Sequence, residues 1–271
     1  MNLTSPSQVK AWCIEHDFHP NRTMGQNFLI DRNALVSIVD AGLEKVGAPQ
    51  GRRILEIGPG LGVLTEELLS RGAQVVAVEK DPVLAARLAE ALGHPAGLTV
   101  VEGDALDWIA RPDIGAFDAL VSNLPYQAGT RILLELVQAR TIPVMTVLVQ
   151  SEVAERLAAK EGSKTRGLAG VWAQLDYDVS VVRKVAASCF WPRPEIGSSV
   201  VRLVRHERNC TFSAEERKLF HGLTKTAFSH RRKQLGSIFK DMIQSTARAE
   251  ELSNEDWINL VKGLMKTNED T

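Results

Sequence analysis

Residues Asn123-Leu124-Pro125-Tyr126 end the apolar run FDALVS with an amide, a rigid turn residue and an aromatic hydroxyl in succession. That set suits one chemical problem. The exocyclic amine of adenine is a poor nucleophile because its lone pair is delocalised into the ring; two acceptors aimed at its hydrogens would hold it pyramidal and direct the lone pair outward. The side-chain oxygen of Asn123 and a backbone carbonyl, that of Leu124, are suited to this, with Pro125 fixing the local backbone. Tyr126 would stack on the base. Taken alone, the tetrapeptide is equally a turn with a buried tyrosine.

Three groups upstream change the balance. EIGPGLG (56–62) leaves an apolar strand and enters a helix; its glycines, Gly58, Gly60 and Gly62, allow a tight turn and a close approach to a ligand, and the helix start contributes oriented amides. Glu79 lies 21 residues beyond Gly58, where a carboxylate can accept both hydroxyls of a ribose. This pair fits an NAD-dependent dehydrogenase as well as a methyltransferase using S-adenosylmethionine (SAM). Asp104 in EGDAL (102–106) follows a third strand and is placed to accept from an adenine amine. A glycine loop, an acid, a second acid and NLPY at the ends of four successive strands point to the switch-point crevice of a doubly wound sheet. In methyl transfer from a sulfonium, a strong leaving group, in-line positioning supplies most of the catalysis, and no general base is obvious.

The elements that must hold these residues are legible in the periodicity. RRILEI (52–57), AQVVAV (73–78), LTVV (98–101), FDALVS (117–122) and IPVMTVLVQ (142–150) read as strands alternating with helices that start at Gly62, Pro82 and Thr130, a βαβ pattern around a parallel sheet. Asp81 and Pro82 form a helix start, cap followed by a proline that has no amide hydrogen to lose. Helices are expected at about 7–17 and 32–46 before the sheet, and on EVAERLAAK and the residues after the EGSKTRG loop (161–167). YDVSVVRKV and SSVVRLV read as two more strands joined by a long proline-bearing connection. Beyond His206 the strand signal stops: TFSAEERKLFHGLTKTAF, RRKQLGSIFKDMI and NEDWINLVKGLM read as amphipathic helices, the first opened by a capping box of Ser213 and Glu216. The expected organisation is a domain of residues 1–206 and an all-helical C-terminal domain of residues 207–271.

Composition is that of an ordinary globular chain: 271 residues, 44% hydrophobic and 24% charged. The N-terminus carries no apolar leader and no apolar run approaches the roughly 20 residues of a membrane span, so a soluble cytoplasmic protein is expected. Cys13, Cys189 and Cys210 are scattered, without metal-ligand or disulfide spacing, and read as reduced, mostly buried thiols; no metal is expected. Between Arg202 and Glu250 there are eleven Lys/Arg against five acids, a net of +6 on a chain whose total is −1. A basic tail on an acidic body suits a polyanionic partner, and suits a solvated helix face almost as well.

Taken together, GQNFLID (25–31), EIGPGLGVLT (56–65), VVAVEKD (75–81), EGDAL, NLPY, FWPRPEIGSSV (190–200) and FSHRRKQL (228–235) closely resemble the ribosomal RNA adenine dimethyltransferase family, in its small-subunit branch. The resemblance implies a Rossmann-like SAM-dependent methyltransferase sheet with an antiparallel last strand, and a small helical C-terminal domain. It implies N6,N6-dimethylation of two adjacent adenosines in the 3′-terminal hairpin of small-subunit rRNA, late in subunit assembly, by a monomer. Carried over to this chain, the SAM contacts are Asn27, Leu29, Gly58, Glu79, Asp104 and Asn123. Asn123 and Tyr126 present the base, Phe190 stacks on its other face, and Arg231, Arg232 and Lys233 track phosphates without reading sequence. Three departures stand out: Ile196 where valine is usual, QAGT (127–130) in place of an NIST-like continuation, and no aromatic in the EGSKTRG loop.

Other readings remain open at this level. Large-subunit rRNA methyltransferases of the macrolide-resistance type share the NLPY-like and GQNFL-like motifs, although GPGLGVLT and FSHRRKQL favour the small-subunit enzyme. A ribosome-assembly or transcription accessory factor acting mainly by binding would keep the fold without needing Asn123 or Tyr126. A dehydrogenase has no use for NLPY.

Overall fold

A computed structural model describes residues 1–21, 24–111, 117–208 and 212–269. Cys210, among the expected thiols, lies outside the described residues. The chain divides into two compact units, Met1–Ala154 with Ser180–Arg205, and Glu155–Val179 with His206–Thr271.

The first unit is built on strands whose composition leaves them little choice. β2 (Arg53–Ile57), β3 (Gln74–Glu79), β5 (Ala119–Asn123) and β6 (Val144–Gln150) are rich in Val, Ile and Leu and almost continuously buried, as parallel strands covered on both faces must be. With β4 (Leu98–Glu102), β7 (Tyr177–Val185) and β9 (Ser198–Arg205) they form a seven-stranded sheet of order β4-β3-β2-β5-β6-β9-β7. β4 through β6 run parallel, and β9 returns antiparallel to β6, with Leu148 opposite Val200. A two-residue ladder, β1 (Phe28–Leu29) against β8 (Phe190–Trp191), lies outside this sheet. The strand order reverses at β2: β3 and β4 build to one side, β5 and β6 to the other. That opens a crevice at the carboxyl ends of β2 and β5.

The helices of this unit are α1 (Pro6–Glu15), α2 (Arg32–Leu43), α3 (Val63–Ser70), α4 (Pro82–Ala91), α5 (Ala105–Ile109) and α6 (Gly129–Ala139). Each boundary has a local cause. The Asp81 carboxylate accepts from the amides of Val83 and Leu84, with Pro82 in the first turn, and Asp31 and Asp104 cap α2 and α5 in the same way. α6 turns Ile132, Leu133, Leu136 and Val137 inward; each such buried side chain contributes about 1.5–3 kcal/mol. Cys13 is buried, which pushes its thiol up to about 11, and Cys189 is half-buried; both are unpaired.

The second unit takes in more than the expected residues 207–271. The chain passes into it within α7 (Ser151–Ala158), so that the 161–167 loop and α8 (Leu168–Asp176) fold with α9 (Ala214–Ser229), α10 (Leu235–Phe239) and α11 (Asn254–Glu269). The reason is packing: Val171 and Leu175 of α8 share one apolar cluster with Phe220, Leu223, Trp257 and Val261. Polar ties follow the same grouping. Arg217 grips the buried Asp176 with two hydrogen bonds of 2.7 and 3.0 Å. Gly170 sits where a Cβ would lie 2.4 Å from the Arg156 carbonyl, so α8 crosses α7 backbone to backbone. Ser213 and Glu216 form the expected capping box. The helix expected over RRKQLGSIFKDMI is mostly absent: residues 231–233 form a turn and bend, Gln234 pairs with Arg248 in an isolated bridge, α10 spans five residues, and one 3-10 turn follows. Lys240, at positive φ, breaks the run.

Arg217→Ala leaves the Asp176 carboxylate buried without its cation, and a loss of about 3–5 kcal/mol is expected. Urea unfolding of wild type and variant measures it. A drop below 1 kcal/mol would show that solvent reaches Asp176.

Candidate active site

The acceptors and glycines picked out in the sequence meet at the crevice. Gly58 follows β2, Glu79 ends β3, Asp104 follows β4, and Asn123 ends β5. Together with Asn27 and Leu29 they line one cavity of about 230 Å³. Gly58, Gly60 and Gly62 all adopt positive φ (+67°, +59° and +90°). A Cβ at Gly62 would stand 2.6 Å from Leu88, so the loop needs glycine for space as well as for conformation.

The carboxylates sit in different environments. Glu79 accepts from the Gly60 amide at 3.0 Å through one oxygen and from the Asp81 amide at 2.9 Å through the other, which fixes the glycine loop to the end of β3. Burial pushes its carboxyl up, and the two backbone hydrogen bonds work against that. Asp104 accepts from Lys80 Nζ at 2.8 Å and from the Leu106 amide at 2.9 Å; the Lys80 hydrogen bond holds it below the usual carboxylate range. A third acid, Glu56, lines the same cavity at 1% exposure, with Thr65 Oγ1 donating to it at 2.6 Å. Burial pushes Glu56 up to about 8.

At NLPY the chain is held by a segment nearly 100 residues away. The Asn123 amide nitrogen donates to the Asn27 carbonyl at 3.1 Å. A carbonyl only accepts, so this bond fixes which end of the Asn123 amide is nitrogen. Asn123 Oδ1 is buried and accepts no hydrogen bond. The Leu124 amide pairs with the Leu148 carbonyl, and the Pro125 carbonyl is taken by the Gly129 amide. No described residue donates to the Leu124 carbonyl. Asn27 donates to the Gly25 carbonyl. Gly25, at φ +69°, approaches so closely that a Cβ would lie 2.9 Å from the Tyr126 nitrogen. Tyr126 is half-buried, its hydroxyl 2.6 Å from Ser198 Oγ at the start of β9. That contact fixes the ring's tilt through the antiparallel strand.

Phe190 is the expected base-facing residue that the structure keeps away from the cavity. It is 2% exposed, pairs with Leu29 across the short ladder, and packs into the main core with Val185 and Val200. Stacking needs an open ring face, and core packing covers the faces of Phe190. In the second unit, the basic trio splits. Arg231 donates to the Lys164 carbonyl and lies 3.6 Å from Glu250, so it ties the 161–167 loop down, whereas Arg232 and Lys233 are exposed. Arg166 of that loop is 1% exposed, its guanidinium donating to the Ala159 carbonyl, Gln174 and Asn254.

Sequence reasoning passed over Glu56, Lys80, Gln26 and Leu3, all of which line the cavity. Glu56 carried a usable signal, an acid inside an otherwise apolar buried strand. Gln26, which donates to the Asp81 cap at 2.8 Å, and Leu3 carried none. Among the described residues no group of His, Cys, Asp and Glu is arranged to hold a metal ion, and no helix is long and apolar enough to cross a membrane.

Comparison with known proteins bears on this geometry. The family model described as ribosomal RNA adenine dimethylase matches residues 17–267. The chain is 46% identical to ribosomal RNA small subunit methyltransferase A of Deinococcus radiodurans over 206 residues, 74% of this chain and 67% of that protein. It is 37% identical to the Mycobacterium tuberculosis protein of the same name over 286 aligned positions, 97% of this chain and 88% of the relative. Among solved structures, a Plasmodium falciparum dimethyladenosine transferase matches with a TM-score of 0.75 at 23% identity, covering 89% of this chain and 98% of that one. The 23S rRNA methyltransferase ErmE matches at 0.67 and 25% identity, covering 88% and 100%. These two confirm the Rossmann-like fold. The match across nearly the whole length, on a chain whose NLPY amide is oriented with its oxygen free, places this protein in the ribosomal RNA adenine dimethylase family.

Proposed function

We propose that this chain transfers methyl groups from SAM to the N6 amines of two adjacent adenosines in the 3′-terminal hairpin of small-subunit rRNA, late in subunit assembly. The observation that carries the reading is Asn123 Oδ1, buried and without a hydrogen-bond donor. An orphaned buried acceptor costs about 1–3 kcal/mol, and a donor arriving with the substrate removes that cost. Asn123 Oδ1 and the Leu124 carbonyl each accept one hydrogen of the target amine, and Tyr126 holds the ring. The amine keeps its lone pair for the methyl carbon.

The cavity fits the donor chemically. Its glycine loop leaves room and amides for a carboxylate, and Glu79 and Asp104 line it as acceptors for ribose hydroxyls and an adenine amine. SAM, when bound, supplies a methyl group on a sulfonium, which leaves without acid assistance. Leu29, which lines the cavity, would contact it. On the RNA side, Arg232 and Lys233 are the exposed members of the basic trio and suit phosphate contacts that weaken as salt rises. Extruding the base costs on the order of a few kcal/mol, least for an unpaired one. The soluble, cytoplasmic, monomeric state expected from the sequence belongs to the same reading.

The relatives' names favour the small subunit, and the ErmE-like fold keeps the large subunit as the acceptor to test against. With labelled SAM, label is expected in the 3′-terminal adenines of undermethylated small subunits and not in large-subunit rRNA; the reverse outcome overturns the assignment. Asn123→Ala is expected to lower kcat by on the order of 10²–10³-fold, as loss of one preorganised transition-state contact does, with subunit binding retained. Loss of binding as well would favour an assembly factor that acts by docking. Gly25→Ala tests the backbone contact: pushing the Tyr126 amide away is expected to lower kcat by on the order of 10²-fold, with circular dichroism unchanged.

A further inference from the structure

Glu56 is the acid in the cavity that neither the fold nor the methyl-transfer step uses. It sits one residue before the end of β2, beneath the glycine loop, 1% exposed yet among the residues lining the cavity. Its hydrogen bond comes from Thr65, a neutral hydroxyl on α3. Its neighbours bring no cation. β5 presents only uncharged residues, Ala119–Asn123. On β3 the facing titratable group is Glu79, a like charge. On α3, Glu67 is tied to Arg71 and Arg32, and Glu66 is exposed. Asp81 at the start of α4 is occupied by Gln26 and by its own helix amides. Lys80, the cavity's lysine, is paired with Asp104.

A buried carboxyl with a like charge beside it and no cation favours its neutral form. The two ligands of a SAM site differ by one charge: the donor carries a sulfonium, and the thioether product, S-adenosylhomocysteine, has lost it. We propose that Glu56 is the specificity-determining group that separates donor from product, meeting the sulfonium donor as a carboxylate and the thioether product as a carboxylic acid. The assignment rests on the reading of the cavity as a SAM site. Donor binding then releases the Glu56 proton to solvent; after methyl transfer the carboxylate no longer faces a sulfonium and regains a proton from solvent, so the thioether product makes no ion pair at its sulfur. The proton lost by the methylated amine is separate and leaves with the usual deprotonation of the ammonium.

Burial sets the working range, since Glu56 is pushed up to about 8. Below that pH the free site is protonated, so donor affinity is expected to rise about tenfold per pH unit between pH 6 and 8, by linkage, while product affinity stays flat. Isothermal titration of the wild-type chain with SAM and with S-adenosylhomocysteine, in two buffers of different ionisation enthalpy, reads this directly. Near one proton should be released per SAM at pH 7 and close to none per product. Glu56→Gln should abolish the pH slope for SAM and narrow the donor-to-product preference by at least about tenfold. Thr65→Val removes the hydrogen bond that stabilises the carboxylate while keeping Glu56, and should move the midpoint to higher pH. Equal pH slopes for both ligands, or a slope that survives Glu56→Gln or an unmoved midpoint in Thr65→Val, would overturn the assignment while leaving the SAM site standing. Failure of both ligands to bind wild type would instead sink the SAM reading, and this one with it.

Discussion

The hydrogen bond from the Asn123 amide nitrogen to the Asn27 carbonyl, 3.1 Å long, ties together the parts on which the chemistry turns. An amide offers two donors and an acceptor, and only its orientation decides which faces a substrate. With the nitrogen engaged, the oxygen is left free and buried. The bond in turn depends on Gly25, which brings the 25–29 segment against NLPY, and on the short ladder that seats Phe28 and Leu29 beside Phe190 and Trp191. Phe190 thereby acts as a foundation for the segment that holds Asn123.

Around that amide the cavity keeps three carboxyl groups distinct by environment. Asp104 has a lysine partner and stays ionised; Glu79 is buried but anchored by two backbone amides; Glu56 is buried with a hydroxyl alone. Identical chemistry thus yields three different tendencies to hold a proton, set by solvent exclusion and by the charge of the nearest neighbour. A ligand carrying a positive charge meets a site already graded in how readily each acid answers it.

The second unit shows the same economy with cations. Arg166 is fully buried on neutral acceptors, and burial lowers its guanidinium from its ordinary value. Arg217 instead takes a buried carboxylate with a bidentate grip. Both tie helices distant in sequence. Of the positive charge that the sequence concentrates in this region, a part is therefore taken up internally, while Arg232 and Lys233 are exposed.

What the sequence by itself determined was local. The aspartate cap with its following proline, the Ser213–Glu216 box, the apolar strands and the glycines at positive φ were legible because each is decided within about one turn or a few residues of chain. The order of strand ends that gathers Gly58, Glu79, Asp104 and Asn123 was legible too, since parallel strands with helical crossovers leave few alternatives. Tertiary structure decided the rest: the free end of the Asn123 amide, the burial of Phe190 and Arg166, the internal use of Arg231, and the passage of 155–179 into the second unit. The short helix at 235–239 belongs here as well, since amphipathic periodicity continued past the point where the backbone turned. Each of these depends on which distant groups exclude water or supply a partner. Burial and pairing are properties of neighbours, and the chain acquires those neighbours only when it folds.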